Sequence, residues 1–470
     1  MYPLISSVAP VFRRTTRQTL LGAAVVTLIG LAGCATAPAG SAPAATTVNV
    51  PSQWSESAIA TQGVVAAEWW RDFGSNELDA LIDTALKSNR DLKIAAARLA
   101  QARALTDGAQ ADRRPQLGAV AGAQRGRETG IDPRAERSFA GLRASWEIDV
   151  FGRGALAIDA AEADAQAASQ ALRATQIALA ADVATAYFEL QTLSHRVALN
   201  RQAIAVAQRQ VDVVRRKFDA GQATSVDVDR WQAELAQEQA VTEQLDGSRR
   251  IRHRQLAVLL GVSEAPVLNL QATATAPQAP ATLLPGELLE RRPDVLRQAR
   301  ALDAALARVG VARREVYPRL QIEWANTRER TAIVGQSASP QVVLGYGVSL
   351  TLPILDGGRI RANIAVNEAK ANEAMAEYEK AMLAALSDAE VALAQWSTSE
   401  ASLSKWQQAQ AAGETAAQRA ERLFDAGLTD VSSVLDARRS YLRAQDAVSQ
   451  AEGARWAAAV GLRRVFAGAV

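Results

Sequence analysis

The run RIRANIAVNEAKANEAMAEYEKAMLAALSDAEVALAQWSTSEASLSKWQQAQAAGETAAQRAERL, Arg359 to Leu423, contains no proline and a single glycine, Gly413. Proline is the surest helix breaker, because it lacks the amide hydrogen and its ring collides with the preceding turn. Sixty-five positions without one predict a single α-helix of ~100 Å at a rise of ~1.5 Å per residue, roughly five times the ordinary helix length. Ala371, Met375, Tyr378, Met382, Ala385, Ala389, Ala392 and Trp396 recur at a mean spacing near 3.5 residues, the period of a coiled-coil seam. Small seam residues let helices approach closely. Alanine on the other faces as well implies neighbours on both sides, as in a wall of helices.

The long run has a counterpart earlier in the chain. Gly152-Arg153, Glu162-Ala163 and Phe218-Asp219-Ala220-Gly221 match Gly358-Arg359, Glu368-Ala369 and Phe424-Asp425-Ala426-Gly427 at a constant offset of 206. Upstream, Asn89-Arg90-Asp91-Leu92 and Pro115-Gln116-Leu117 match Arg292-Pro293-Asp294-Val295 and Pro318-Arg319-Leu320 at an offset of 203, so one turn carries a three-residue insertion. The chain is therefore read as a tandem duplication. The seam carries over to Ala165, Ser169, Leu172, Gln176, Leu179, Val183, Ala186 and Leu190. The first repeat is placed at 68–262 and the second at 287–470, with an Ala/Pro/Thr-rich linker at 263–286. Each repeat reads as helix, two strands, very long helix, tight turn, helix, with hairpin tips at about 218–230 and 424–436. Gly221 and Gly427 supply the backbone freedom for those turns.

Composition agrees with an alanine-packed helical body: 100 of 470 residues are alanine and only 5% are aromatic. Fifty-two basic residues against fifty acidic ones leave a net charge of +2, too little field to recruit nucleic acid. One cysteine and two distant histidines, His195 and His253, supply no thiolate or imidazole cluster for a metal or a nucleophile. No arrangement of Asp and Glu resembles an acid/base pair. The expectation is a protein that is not an enzyme and holds no metal or cofactor.

The amino-terminal segment points to export. Arg13, Arg14 and Arg17 precede the uncharged run LLGAAVVTLIGL, Leu20 to Leu31, which is followed by Ala32-Gly33-Cys34. This is the layout of a secretory signal peptide, 1–33, and the run is too short to span a bilayer core of ~30 Å. The segment 34–67 is read as a Pro/Ser/Thr-rich spacer, with the folded body beginning near Glu68.

Four strands complete the reading, at about 114–124, 138–150, 317–328 and 341–353. In the second, Ala140, Leu142, Ala144, Trp146, Ile148 and Val150 alternate with Arg143, Ser145, Glu147 and Asp149. In the third, Leu320, Ile322 and Trp324 alternate with Arg319, Gln321 and Glu323. In the fourth, Val342, Leu344, Tyr346, Val348 and Leu350 alternate with Val343, Gly345, Gly347, Ser349 and Thr351. The first strand is Gly/Ala-rich and shows the alternation only weakly. Strands of about ten residues with one apolar and one polar face match those that cross a bilayer at a tilt, with lipid outside and water inside. On this reading Trp146, Ile148, Leu344 and Val348 face lipid, whereas Arg143, Glu147, Asp149, Gln321, Glu323, Ser349 and Thr351 face a lumen. Four strands cannot close a barrel, and an open edge is intolerable in a bilayer, so copies of the chain must share one. Two copies give eight strands and a filled interior; three give twelve and a channel.

These residues carry a resemblance to a known family. Leu31-Ala32-Gly33-Cys34 resembles a bacterial lipobox, which implies a lipid on Cys34 and, with Ala35 next, sorting to the outer membrane. Glu68-Trp69-Trp70-Arg71-Asp72-Phe73, Leu288-Leu289-Glu290-Arg291-Arg292-Pro293-Asp294-Val295 and Leu352-Pro353-Ile354-Leu355-Asp356-Gly357-Gly358-Arg359 are similar to signatures of the TolC-like outer-membrane factors, and within them of the NodT-type lipoproteins of RND efflux systems. The resemblance implies a mixed α and membrane-β fold. Each tandem-repeat protomer gives four strands to a shared, trimeric, 12-stranded β-barrel, continued by a long periplasmic α-helical coiled-coil barrel. It also implies a periplasmic membrane-fusion adaptor and an inner-membrane RND-type transporter as partners, outer-membrane lipid as surroundings, and no cofactor beyond the covalent lipid. By the same resemblance, the periplasmic gate falls on Asp436, flanked by Ser432 and Ser433, with Asp227 as a linking acid in the first tip. The alternatives are the outer component of a type I protein secretion system and, in a different class, a periplasmic coiled-coil adaptor or structural lipoprotein.

Overall fold

The computed structural model describes residues 48–55, 66, 68–128, 132–270, 282–332 and 339–467, the side chains of 126–128 and 132–135 excepted. Cys34, the signal segment and the spacer up to residue 47 lie outside the described residues. The chain divides into two compact units: Gly108–Ala160 with Ala305–Lys370, and Thr47–Asp107 with Ala161–Ala304 and Ala371–Val470, within the described residues.

The first unit is built on one antiparallel sheet. Its strands are β1 (Gln116–Glu128), β2 (Asp132–Ile148), β3 (Arg319–Ala332) and β4 (Gln341–Thr351), paired in the order β1-β2-β3-β4. Both hairpins, and the pairing of β2 with β3 across the two repeats, are antiparallel. Register puts like with like. Trp146 pairs with Ile322 and Ile322 with Val348; Ala144 pairs with Trp324 and Trp324 with Tyr346; Ile148 pairs with Leu320 and Leu320 with Leu350. The opposite face carries the rows Glu147, Gln321, Ser349 and Ser145, Glu323, Gly347. In the single chain, Leu117, Leu142, Val342, Leu344, Tyr346, Val348 and Leu350 are all exposed. An exposed apolar sheet face of this extent requires lipid or another surface to cover it. β1 and β4 have no strand on their outer edges among the described residues.

The strand bounds differ from the expected ones in an instructive way. β3 runs on to Ala332 because its hydrogen-bond ladder with β2 continues to Glu136↔Ala332 after its outward positions turn polar at Asn326, Arg328 and Arg330. β2 stops at Ile148, because Asp149 turns away to cap the next helix: its Oδ1 accepts from Gly154 N at 3.0 Å and its Oδ2 from Ala155 N at 2.8 Å. Trp146 donates its indole N–H to the Arg113 carbonyl at 2.8 Å. Its apolar body and polar edge suit a membrane–water boundary.

The helices are α1 (Asn76–Ser88), α2 (Arg90–Asp112), α3 (Arg153–Asp219), α4 (Ser225–Leu260), α5 (Pro285–Arg291), α6 (Pro293–Arg313), α7 (Arg359–Asp425) and α8 (Val431–Phe466). α3 and α7 are each 67 residues long, and α4 and α8 each 36. The duplication is thus metrically faithful in its long elements. None of the described helices is long and apolar enough to cross a membrane.

The core of the second unit lies partway along the long helices, where the short ones wrap around them. Leu179, Val183, Ala186, Tyr187 and Leu190 of α3 pack with Met382, Ala385, Ala389, Ala392 and Trp396 of α7 and with Trp69, Phe73, Leu78, Ile82 and Phe466. The expected seam is therefore buried over this stretch, whereas Ser169 and Gln176 further along it are exposed. α8 comes close enough to α3 that a Cβ on Gly453 would meet Thr192 Oγ1 at 2.7 Å. Two equivalent residues pin the short helices to the long ones. Asn89 accepts from Leu92 N at 2.9 Å and donates to the Leu259 carbonyl at 2.9 Å. At the matching place in the second repeat, buried Arg292 binds Asp294, donates to Asp388 Oδ2 at 3.0 Å and reaches the Ala385 carbonyl. Burial works against ionised Asp294, but the bonds from Arg292 prevail and hold its carboxyl below the usual range.

The spacer expectation needs correcting at its far end. Trp54 is buried, donates its indole N–H to the Leu283 carbonyl at 2.7 Å and meets Phe466 edge to face. Val48 and Val50 pack against the same core. The body therefore begins near Val48, because one tryptophan supplies the apolar area that the surrounding Ala/Pro/Ser/Thr residues lack.

Candidate functional site

Two surfaces hold the residues singled out by the sequence: the polar face of the sheet and the two helical turns. On the sheet, Arg143, Glu147, Gln321, Glu323, Ser349 and Thr351 share one face by register, and Trp146, Ile148, Leu344 and Val348 share the other. Glu147 accepts from Arg153 at 2.8 Å, and Gln321 donates to Glu323 at 3.3 Å. Further along, Arg137 binds Glu329 through two nitrogens, its Nη2 at 2.8 Å. Asp149 does not belong to this face: it lies past the end of β2, spends both oxygens on the first turn of α3 and lies 3.7 Å from Arg113. Asp356 caps α7 in the same manner, accepting from Gly358 N and Ile360 N. Those backbone donors hold its carboxyl below the usual carboxylate range.

The turns are built by the same chemistry twice. α3 is closed just past its end by Gly221 (φ 74°), with Gln222 N donating to the Lys217 carbonyl at 2.8 Å; α7 is closed in the same way by Gly427 (φ 72°), with Leu428 N donating to the Leu423 carbonyl at 2.8 Å. These are Schellman closures, which need a left-handed residue after the helix. The following helices are capped by Thr224 and Asp430. Asp227 accepts from Thr224 N at 2.9 Å and Thr224 Oγ1 at 2.7 Å, closing a capping box. These bonds lower its pKa. Within the chain its carboxylate thus serves its own helix.

The contacts that cross from one helical hairpin to the other fall on residues that the motif reading passed over. Lys217 Nζ lies 3.1 Å from Asp430 Oδ2. Asp430 also accepts from Ser433 N at 3.0 Å and Ser433 Oγ at 2.9 Å, and these bonds, with Lys217, pull its pKa down to about 2. One turn further, Glu234 Oε1 receives Arg439 at 3.0 Å and Arg443 at 2.7 Å, and Arg439 stacks 5.2 Å over Trp231. Val206, Leu435 and Leu442 form a small apolar cluster nearby. Asp436 is half exposed, with Arg439 at 3.8 Å as its described partner; Ser432 is half-buried and Ser433 is engaged in the cap of α8. The signal that could have found the crossing pairs was the charge run Arg438-Arg439 with Arg443, opposite Trp231 and Glu234 in the first repeat.

His195 faces Ser449 Oγ at 3.1 Å and His253 the Pro266 carbonyl at 3.1 Å, so each has a partner in the packing. Among the described residues no group of three or more His, Cys, Asp and Glu could hold a metal ion.

The family model described as outer membrane efflux protein matches residues 81–262 and 284–468, one segment for each repeat. The chain belongs to that family. It is 31% identical over 461 residues to the pyoverdine export outer membrane protein OpmQ of Pseudomonas aeruginosa, covering 94% of each chain. It is 30% identical over 463 residues to outer membrane protein OprJ of the same organism, covering 95% of each. Among solved structures it is similar to the outer-membrane channel OprN at a TM-score of 0.81 and 29% identity, covering 93% of this chain and 99% of that one. The protein is accordingly an outer membrane efflux protein. Efflux channels of this family are not enzymes. Membership also sets aside the adaptor and structural-lipoprotein alternatives.

Proposed function

We propose that the chain is the outer-membrane conduit of a tripartite efflux system, conducting small toxic or drug-like compounds passively outward. The observation that carries this reading is the four-stranded sheet, with an apolar face, a polar face and two unpaired edges. In a bilayer each unpaired backbone group costs several kcal/mol, so such a sheet is viable only when its edges are paired. Pairing β4 of one copy with β1 of the next pairs every edge. Three copies make twelve strands and leave a wet lumen, where eight would be filled by side chains. Arg143, Glu147, Gln321, Glu323, Ser349 and Thr351 then line that lumen. The helices extend the passage into the periplasm, where an adaptor joins it to an inner-membrane RND-type pump that supplies the energy and chooses the cargo. The conduit carries no cofactor; an acylated Cys34 anchors it alongside the barrel.

At the inner end, three copies of Asp436, with Ser432 and Ser433 beside them, would meet at the axis and form a cation-attracting constriction. The pairs Lys217–Asp430 and Glu234–Arg439 hold the hairpins together around it. The test is reconstitution of the purified protein. We expect a detergent-stable oligomer with the mass of three chains and discrete conductance steps in planar bilayers, which multivalent cations block in the native protein and less in Asp436→Ala. A monomeric mass without conductance would refute the conduit, and unchanged block in Asp436→Ala would remove Asp436 from the aperture.

A further inference from the structure

The apolar face of the sheet ends in a cluster of arginines. On β3 the outward positions read Leu320, Ile322, Trp324, Asn326, Arg328, Arg330. Register aligns Arg328 with Ala140 and Val342, Arg330 with Ser138, and Arg125 of β1 with Glu136, whose outward row ends at Ala332. Arg125, Arg328 and Arg330 therefore stand on the same face as Trp146 and Leu344, at the hairpin end of the strands. All three are exposed. The helices join the strands at the other end; on the proposed reading that end is the periplasmic one, so this rim faces the outer leaflet.

The charges on the two faces are handled differently at this height. On the polar face Arg137 is neutralised bidentately by Glu329. On the apolar face Arg125 meets Glu136 at 3.0 Å in an exposed pair, with the two side chains 77% and 57% accessible. Arg328 and Arg330 have no ion-pair partner among the residues whose side chains are described. Among the described side chains, three cations and one anion remain on this face. Arg328 and Arg330 are one pleat apart, ~6.8 Å at ~3.4 Å per residue, so both guanidinium forks can reach one phosphate-sized anion. A cleft of about 370 Å³ opens beside Arg125 and Arg330, its lining including Ala123, Glu136, Ser138 and Ala332 of this face and Gln124 and Arg137 of the other.

We propose that Arg125, Arg328 and Arg330 form a binding site for the phosphate groups of a phosphorylated glycolipid in the outer leaflet, whose acyl chains lie along Leu142, Trp324, Leu344 and Tyr346. The occupant follows from position: it must present phosphate at the rim and apolar chains below it. An anionic solute offers no chains, and the anionic phosphoglycerides of the inner leaflet lie at the opposite end of the strands. The site rests on the barrel reading, since it needs this face turned to lipid.

The experiment titrates the purified wild-type oligomer and the Arg328→Gln/Arg330→Gln variant with diphosphoryl lipid A, dephosphorylated lipid A and phosphatidylglycerol, with bound lipid counted by native mass spectrometry. For the wild type we expect half-saturation by diphosphoryl lipid A at roughly 30-fold lower concentration than by the dephosphorylated form, the combined effect of Arg328 and Arg330 at an anionic surface, Arg125 being offset by Glu136. The difference should shrink with added salt and collapse in the double variant. Equal binding of the phosphorylated and dephosphorylated forms by the wild type, an undiminished preference in the double variant, or phosphatidylglycerol binding as tightly as diphosphoryl lipid A would overturn the proposal. Conductance steps from the same preparations separate the two readings. Steps without lipid preference refute the lipid site alone, and a wild type without steps refutes the barrel and the site with it.

Discussion

Replacing Glu234 tests whether the tie between the helical hairpins holds the inner end shut. Its carboxylate is 18% exposed and receives Arg439, 25% exposed, and Arg443, 61% exposed. The Arg439 bond is charge-assisted and largely shielded, worth about 1.5–3 kcal/mol. The Arg443 bond is a surface pair and adds at most ~1 kcal/mol. Glu234→Ala should therefore cost the closed arrangement about 2–3 kcal/mol per chain, which at 1.4 kcal/mol per decade raises the ratio of open to closed hairpins roughly 30- to 140-fold. Glu234→Gln keeps the shape and a neutral acceptor, so it should fall between wild type and Glu234→Ala. The assay is open probability in planar bilayers, with oligomer mass as the control for assembly. An intact oligomer whose open probability is the same in wild type and Glu234→Ala would refute the reasoning, because the bond would then persist in both states. The same replacement leaves Arg439 over Trp231, so a residual tie from that contact is expected and Trp231→Ala should add to the effect.

The second tie predicts a pH window. Asp430 has its pKa lowered to about 2 from the ordinary 3.8, so its contribution is fully present above pH ~4 and is lost as pH falls towards ~2; channel opening on acidification should begin only in that range, and Asp430→Asn should abolish this component. On the sheet, Leu344→Arg should destabilise the inserted oligomer by up to ~2–4 kcal/mol near the bilayer midplane, whereas Ser349→Arg should assemble normally and change conductance; heat dissociation of the oligomer and single-channel recording separate the two, and equal effects on both would defeat the face assignment. Mass spectrometry of the mature protein should find its amino terminus at an acylated Cys34, and Cys34→Ser should lose the lipid yet keep conductance because the barrel holds the protein in the membrane.

Much of this protein is legible in one dimension because its governing features are local. Absence of proline between Arg359 and Leu423 is enough for a helix of that length, and its repetition at an offset of 206 residues made the second long helix predictable from the first. Alternation at period two assigns the faces of β2 and β4, since successive side chains on a strand must point opposite ways. The count of four strands is itself enough to imply partners, since so few cannot close on themselves and leave no edge bare. What the chain order concealed is how polar side chains divide their bonds. Asp149 continues the alternation of β2 perfectly, yet the amides at the start of α3 claim both its oxygens. Asp227 sits where a linking acid is expected but is occupied by Thr224. The hairpin ties join residues 213, 205 and 209 positions apart, and Trp54 is anchored by a carbonyl 229 positions away. Helical period says which face a residue is on, but not which neighbouring helix that face meets. Only the packing of the duplicated halves against each other decides that, and with it which charges meet.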